Sequence, residues 1–113
     1  MPPVEPFSLQ PADRPGAFRL AGELDIASAE AVRSRLEGEL ERSGGLTLDT
    51  SDLRFMDSQG LRMLIDLGEQ ALKRDGTVKV LNCSKQVRRL LEVAVPTGIP
   101  GVEIVDREGP DAR

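Results

Sequence analysis

The 113-residue chain has no histidine, no tryptophan and no tyrosine, and it has a single cysteine. Without histidine there is no Ser-His-Asp triad, no phosphohistidine carrier, no imidazole metal ligand and no imidazole general base. The lone Cys83 excludes an intramolecular disulfide and any cysteine-cluster zinc site, which fits a reducing compartment. With three phenylalanines as its whole aromatic complement, the core must be aliphatic, and there is no stacking platform for single-stranded nucleic acid. Fifteen Lys and Arg against nineteen Asp and Glu leave a formal charge of −4, without the basic footprint of a DNA or RNA binder. No apolar run approaches about 18 residues, and Met1-Pro2-Pro3-Val4-Glu5-Pro6 lacks the basic-then-apolar pattern of a signal peptide. A cytoplasmic domain that does not insert into membranes, and is not an enzyme, is the expectation.

One domain fits this length, with residues 1–6 and 106–113 read as tails around a domain over 7–105. Phe7–Gln10 and Ala17–Gly22 carry strand patterns on either side of the turn-forming Asp13-Arg14-Pro15-Gly16, so they are expected to form a hairpin. Ser28 is the expected N-cap of a first helix, whose Ala29, Val32, Leu36 and Leu40 make one apolar stripe that ends at Ser43-Gly44-Gly45. A short strand, Leu46-Thr47-Leu48, closes on Asp49. Leu61, Leu64, Ile65, Gly68, Ala71 and Leu72 then mark the buried stripe of a second helix, stopped by Asp75-Gly76. Thr77–Leu81 reads as a strand, and Ser84 as the cap of a third helix carrying Val87, Leu90, Leu91 and Ala94. Pro96, Gly98, Pro100 and Gly101 break that helix before a last strand at Val102–Val105. Strands joined by helices run parallel through right-handed crossovers, and the opening hairpin adds an antiparallel edge. The fold class expected is therefore α/β, a single domain with a mixed sheet.

In such sheets function collects where strands end and helices begin. Two segments lie there: Gly22-Glu23-Leu24-Asp25, and Leu53 to Leu61. Ser58, three residues ahead of the helical stripe, reads as a helix N-cap, either a plain cap or a hydroxyl placed at an anion site. Asp25 and Asp57 are loop carboxylates whose spacing makes no metal-ligand loop, and the glycines form no phosphate loop or dinucleotide fingerprint, so neither metal nor cofactor is expected. Met63 and Leu67, with Met56 upstream, form a second apolar face. It either packs under a neighbouring helix or is an exposed patch beside Ser58 that suits a partner.

Leu48-Asp49, a short gap and then Phe55-Met56-Asp57-Ser58-Gln59-Gly60-Leu61 resemble the signature of the STAS domain, shared by bacterial anti-sigma factor antagonists and sulfate transporter tails. The Gly22–Asp25 turn and the Asn82–Leu91 segment follow the same order, so the resemblance spans residues 7–105. It implies a partner switch. The unmodified antagonist binds an anti-sigma factor that is also a serine kinase and so frees a sigma factor; phosphorylation releases the antagonist and a serine phosphatase resets it. Carried over, Ser58 is the phosphoacceptor, and Asp25, Met56, Asp57, Gln59, Gly60, Met63 and Leu67 join it in the partner surface. The alternative that the resemblance leaves is a structural subunit of a membrane lipid transporter or larger signalling assembly. An enzyme or nucleotide-binding module is disfavoured by the missing histidine and phosphate loop.

Overall fold

In a computed structural model, which describes residues 7–105, the chain runs β1 (Ser8–Pro11), β2 (Ala17–Leu24), α1 (Ile26–Ser43), β3 (Leu46–Met56), α2 (Ser58–Lys73), β4 (Val78–Leu81), α3 (Lys85–Ala94) and β5 (Val102–Val105). The two tails read from the sequence lie outside the described residues. The five strands form one sheet in chain order. β1 is antiparallel to β2, and every other pair is parallel. The expected α/β architecture with its edge hairpin is thus the observed one. Pro11 sits in β1 at the sheet edge, where a missing N–H breaks no ladder.

Phe18, Leu48, Val80 and Ile104 are register partners across the four parallel strands, flanked by Leu46, Val78 and Val102. Phe18, Leu46, Leu48, Val78 and Val80 are buried in a core that includes the α1 stripe Ala29, Val32, Leu36 and Leu40, all buried as expected. Helices α1 and α2 lie side by side, joined by an ion pair between Arg33 and Asp66 and by a 2.8 Å hydrogen bond from Gln70 to Glu37. The hydrogen bond to Asp66, reinforced by that carboxylate's charge, raises the Arg33 guanidinium above its ordinary range. Ser84 caps α3 by accepting from the Val87 amide at 3.3 Å, as expected; of the apolar residues read on this helix, Val87 and Leu91 are buried, Leu90 is half-buried and Ala94 is exposed.

Three expectations are corrected. First, β3 is not a three-residue strand; it spans eleven residues, and its second half pairs with Ala21–Leu24. The pairing steps from Gly22–Leu53 to Glu23–Phe55, so Arg54 is an extra residue on β3. Such a bulge resets the pleat. It turns Arg54 and Phe55 outward together while Leu53 and Met56 both remain buried, a phase break that hides the strand from simple alternation.

Second, the buried face of α2 is not the stripe Leu61, Leu64, Ile65, Gly68, Ala71, Leu72. The buried residues are Gly60, Met63, Leu64, Leu67, Gly68 and Ala71, whereas Leu72 is 52% exposed and Leu61 and Ile65 are half-buried. The glycines explain the rotation. A Cβ on Gly68 would stand 2.3 Å from the Pro100 carbonyl oxygen, and one on Gly101 would stand 2.0 Å from that of Gly68. Helix and turn touch backbone to backbone there, and only glycine permits it. Likewise a Cβ on Gly60 would fall 2.6 Å from Met56 Cγ.

Third, α1 begins before Ser28 and α2 has a different cap from the one expected; both changes bear directly on the site.

Candidate functional site

Leu24 and Met56 are register partners at the ends of β2 and β3, and the Asp57 amide donates to the Leu24 carbonyl at 3.2 Å. Two parallel strands therefore finish together and hand over to two helices side by side, each opened by an aspartate. Asp25 Oδ1 accepts from the Ser28 amide at 3.2 Å, while Ser28 Oγ accepts from the Asp25 amide at 3.1 Å. This is a reciprocal cap, with Asp25 in the place expected for Ser28. At α2, Asp57 is the N-cap, with extended backbone (φ −98°, ψ −171°), and its Oδ1 accepts from the Gln59 and Gly60 amides at 2.9 and 3.2 Å. Ser58 is therefore not the cap. It is the first residue of the helix, exposed, and its hydroxyl makes none of the capping bonds.

This arrangement separates two roles that the sequence had merged. Asp57→Ala should lower stability by about 1 kcal/mol, the usual cost of losing a capping oxygen, while Ser58→Ala should change it by less than about 0.5 kcal/mol. Urea denaturation of the two variants measures both. A larger loss for Ser58→Ala than for Asp57→Ala would return the cap to Ser58.

The structure brings Asp25, Asp57, Ser58 and Gln59 to one end of the molecule, with both aspartates half-buried and Ser58 and Gln59 exposed. It does not bring Met56, Met63 or Leu67 to that surface. Met63 and Leu67 are fully buried and Met56 is 5% exposed, so of the two readings of this apolar face the core one holds and the exposed patch is withdrawn. Gly60 is buried beneath the first turn as well. What faces outward instead is Phe55, 46% exposed, with Arg54 beside it and Arg62 one turn into the helix. The sequence alone does not mark Arg54 and Phe55: Leu53 and Met56 stand three apart, and only a bulge reconciles that spacing with two inward residues of one strand. Glu23 and the two aspartates set acidic charge against these two arginines, giving a surface of mixed sign.

Among the described residues, no group of three or more His, Cys, Asp or Glu is placed to hold a metal ion, and no helix is long and apolar enough to cross a membrane. Thr50 is the buried hydroxyl nearest in sequence to the site. It is 2% exposed and donates to the Leu81 carbonyl at 2.9 Å, so it is a structural group.

The family model described as Mlab, STAS domain matches residues 7–98. The anti-sigma-B factor antagonist of Bacillus subtilis is 31% identical over 74 residues, 66% of this chain and 68% of its own length. The anti-sigma F factor antagonist of Paenibacillus polymyxa is 30% identical over 78 residues, 67% of each chain. In fold the chain is similar to the anti-sigma factor antagonist SpoIIAA in its unphosphorylated form, with a TM-score of 0.67 at 20% identity over 91% of this chain and 90% of that one. It is also similar to the Bacillus cell fate determinant SpoIIAA in the phosphorylated form, with a TM-score of 0.64 at 19% identity over 88% and 91%. With a strand-to-helix Asp57-Ser58-Gln59-Gly60-Leu61 junction on the expected sheet, this chain belongs to the STAS domain family, alongside the anti-sigma factor antagonists.

Proposed function

We propose that this protein is an anti-sigma factor antagonist switched by phosphorylation of Ser58. The observation that carries the reading is the position of Ser58, an exposed hydroxyl on the first residue of α2 that Asp57 relieves of the capping role. Such a group can be modified without dismantling the helix start. A phosphate there adds about −1.5 to −2 charge at the positive end of the helix dipole, which the fold tolerates. The switch then acts on the interface and leaves the fold in place. Relatives named as antagonists of anti-sigma factors, and the solution of one fold neighbour in both phosphorylated and unphosphorylated forms, support this assignment.

In this reading the partner is an anti-sigma factor that is also a serine kinase. It binds the unmodified chain at the Asp25, Asp57, Ser58, Gln59 surface and so releases its sigma factor. The kinase then transfers the terminal phosphoryl group of ATP to Ser58 Oγ, with ADP leaving, and the modified chain departs until a serine phosphatase hydrolyses the ester. The protein catalyses nothing itself and works in the cytoplasm with its partners.

Incubation with the cognate anti-sigma factor and ATP should place one phosphoryl group on this chain, mapped by mass spectrometry to Ser58 and absent from Ser58→Ala. Ser51, exposed seven residues upstream, is the competing acceptor. Phosphate on Ser51 that persists in Ser58→Ala would overturn the assignment.

A further inference from the structure

Arg62 lies four residues beyond Ser58 on α2 and is exposed. Arg33, Arg42 and Arg74 are paired with Asp66, Glu39 and Glu41, but Arg62 has no ion pair among the described residues. Its natural helix-face partner, Asp66, a further four residues on, is held by Arg33 of α1. Meanwhile the amides that usually hold an anion at a helix start are occupied, because Asp57 Oδ1 accepts from both Gln59 and Gly60. A phosphate on Ser58 would thus meet no vacant amide at those two positions. It would meet a carboxylate at Asp57, further acidic groups at Glu23 and Asp25 from β2 and its exit loop, Arg54 from β3, and Arg62 from its own helix.

We propose that a phosphoryl group on Ser58 is held by the Arg62 guanidinium as an intrahelical pair, so that phosphorylation both adds negative charge and consumes a cation that has no ion pair among the described residues. The inference rests on the reading of Ser58 as phosphoacceptor. Residues four apart on a helix have Cβ atoms about 5–6 Å from each other, and an anion on the N-terminal side of a cation is the favoured order. The planar guanidinium matches two phosphate oxygens at once, which a lysine ammonium does not. The pair also settles the charge conflict at the site, since a dianion next to the Asp57 carboxylate needs a counter-charge that the occupied amides do not supply. For the partner the consequence is twofold: an acidic group that Arg62 attracts in the unmodified state loses its counter-ion at the same moment that it meets a new anion.

The test needs no kinase. Phosphoserine installed at position 58 by genetic encoding is titrated by phosphorus NMR in the otherwise natural chain and in Arg62→Gln, Arg62→Lys and Arg54→Gln. The second phosphate pKa is expected to rise by about 0.3 unit in Arg62→Gln, a twofold change in acid dissociation, with Arg62→Lys in between and Arg54→Gln unchanged. The Arg62 Nε–H resonance should move on phosphorylation and not in the unphosphorylated chain over the same pH range. An identical pKa with and without Arg62, or a shift produced by Arg54→Gln alone, would overturn the pairing. Because the phosphate is installed by genetic encoding, failure of the kinase to modify Ser58 leaves this titration unaffected, and an unmoved pKa leaves the mapping of the kinase's site intact.

Discussion

Met63→Lys is expected to unfold the domain or bring it close to unfolding. Met63 is 0% exposed, within the core formed by the sheet and the helices, and no carboxylate is among the buried residues of that core. An ammonium placed there has no partner, and either it stays charged at a cost of several kcal/mol or the helix shifts to let it reach water. A loss of at least about 4 kcal/mol falls among the largest single-residue effects and is comparable to the whole stability of a small domain, about 5–15 kcal/mol. The melting temperature should drop by roughly 15–30 °C, whereas Met63→Leu, which keeps volume and polarity, should cost less than about 1.5 kcal/mol. Circular dichroism melts of the two variants decide it. A drop of only a few degrees for Met63→Lys would mean that the side chain reaches solvent and that this face is available to a partner after all.

The buried face is legible from the sequence in α1 and is not in α2. In α1 the larger apolar residues beyond the first turn, Val32, Leu36 and Leu40, fall with Ala29 on one stripe, so the period alone names the buried side. In α2 the apolar residues Leu61, Met63, Leu64, Ile65, Leu67, Ala71 and Leu72 cover more than half the circumference, and periodicity does not choose among overlapping arcs. The choice is made by Gly60 and Gly68, which mark where Met56 and the Pro100–Gly101 turn press against the helix backbone. Neither contact is local in sequence. Similarly, Asp57 and Ser58 are both good caps, and what selects Asp57 is its hydrogen bond to the Leu24 carbonyl across the strand pair. The convergence of Asp25, Asp57, Ser58 and Gln59 was legible because adjacent parallel strands must end at the same edge of the sheet. The outward pair Arg54 and Phe55 was not, because it depends on a bulge set by pairing with β2.

The corrected surface sharpens what Ser58 variants should do to partner binding. Ser58→Ala keeps the Asp57 cap and removes only an exposed hydroxyl, so it should bind the anti-sigma factor with close to natural affinity and resist phosphorylation. Ser58→Asp places a carboxylate at the first residue of α2, where the dipole favours it and no core contact is lost, so the fold should be as stable as the natural one or slightly more so. Its effect therefore falls on the interface. A charge brought against a like charge, or desolvated without a counter-ion, costs several kcal/mol, and about 3 kcal/mol is already more than a hundredfold in affinity. Calorimetric titration of the anti-sigma factor should accordingly find Ser58→Asp and the phosphorylated chain at least about a hundredfold weaker than Ser58→Ala, at matched thermal stability. A double variant separates the added charge from the loss of Arg62. If Arg62 pairs with the new anion, Arg62→Gln should weaken the unmodified chain more than it weakens Ser58→Asp, so that the ratio between the two shrinks. Equal binding of Ser58→Ala and Ser58→Asp would remove Ser58 from the interface and with it the switch.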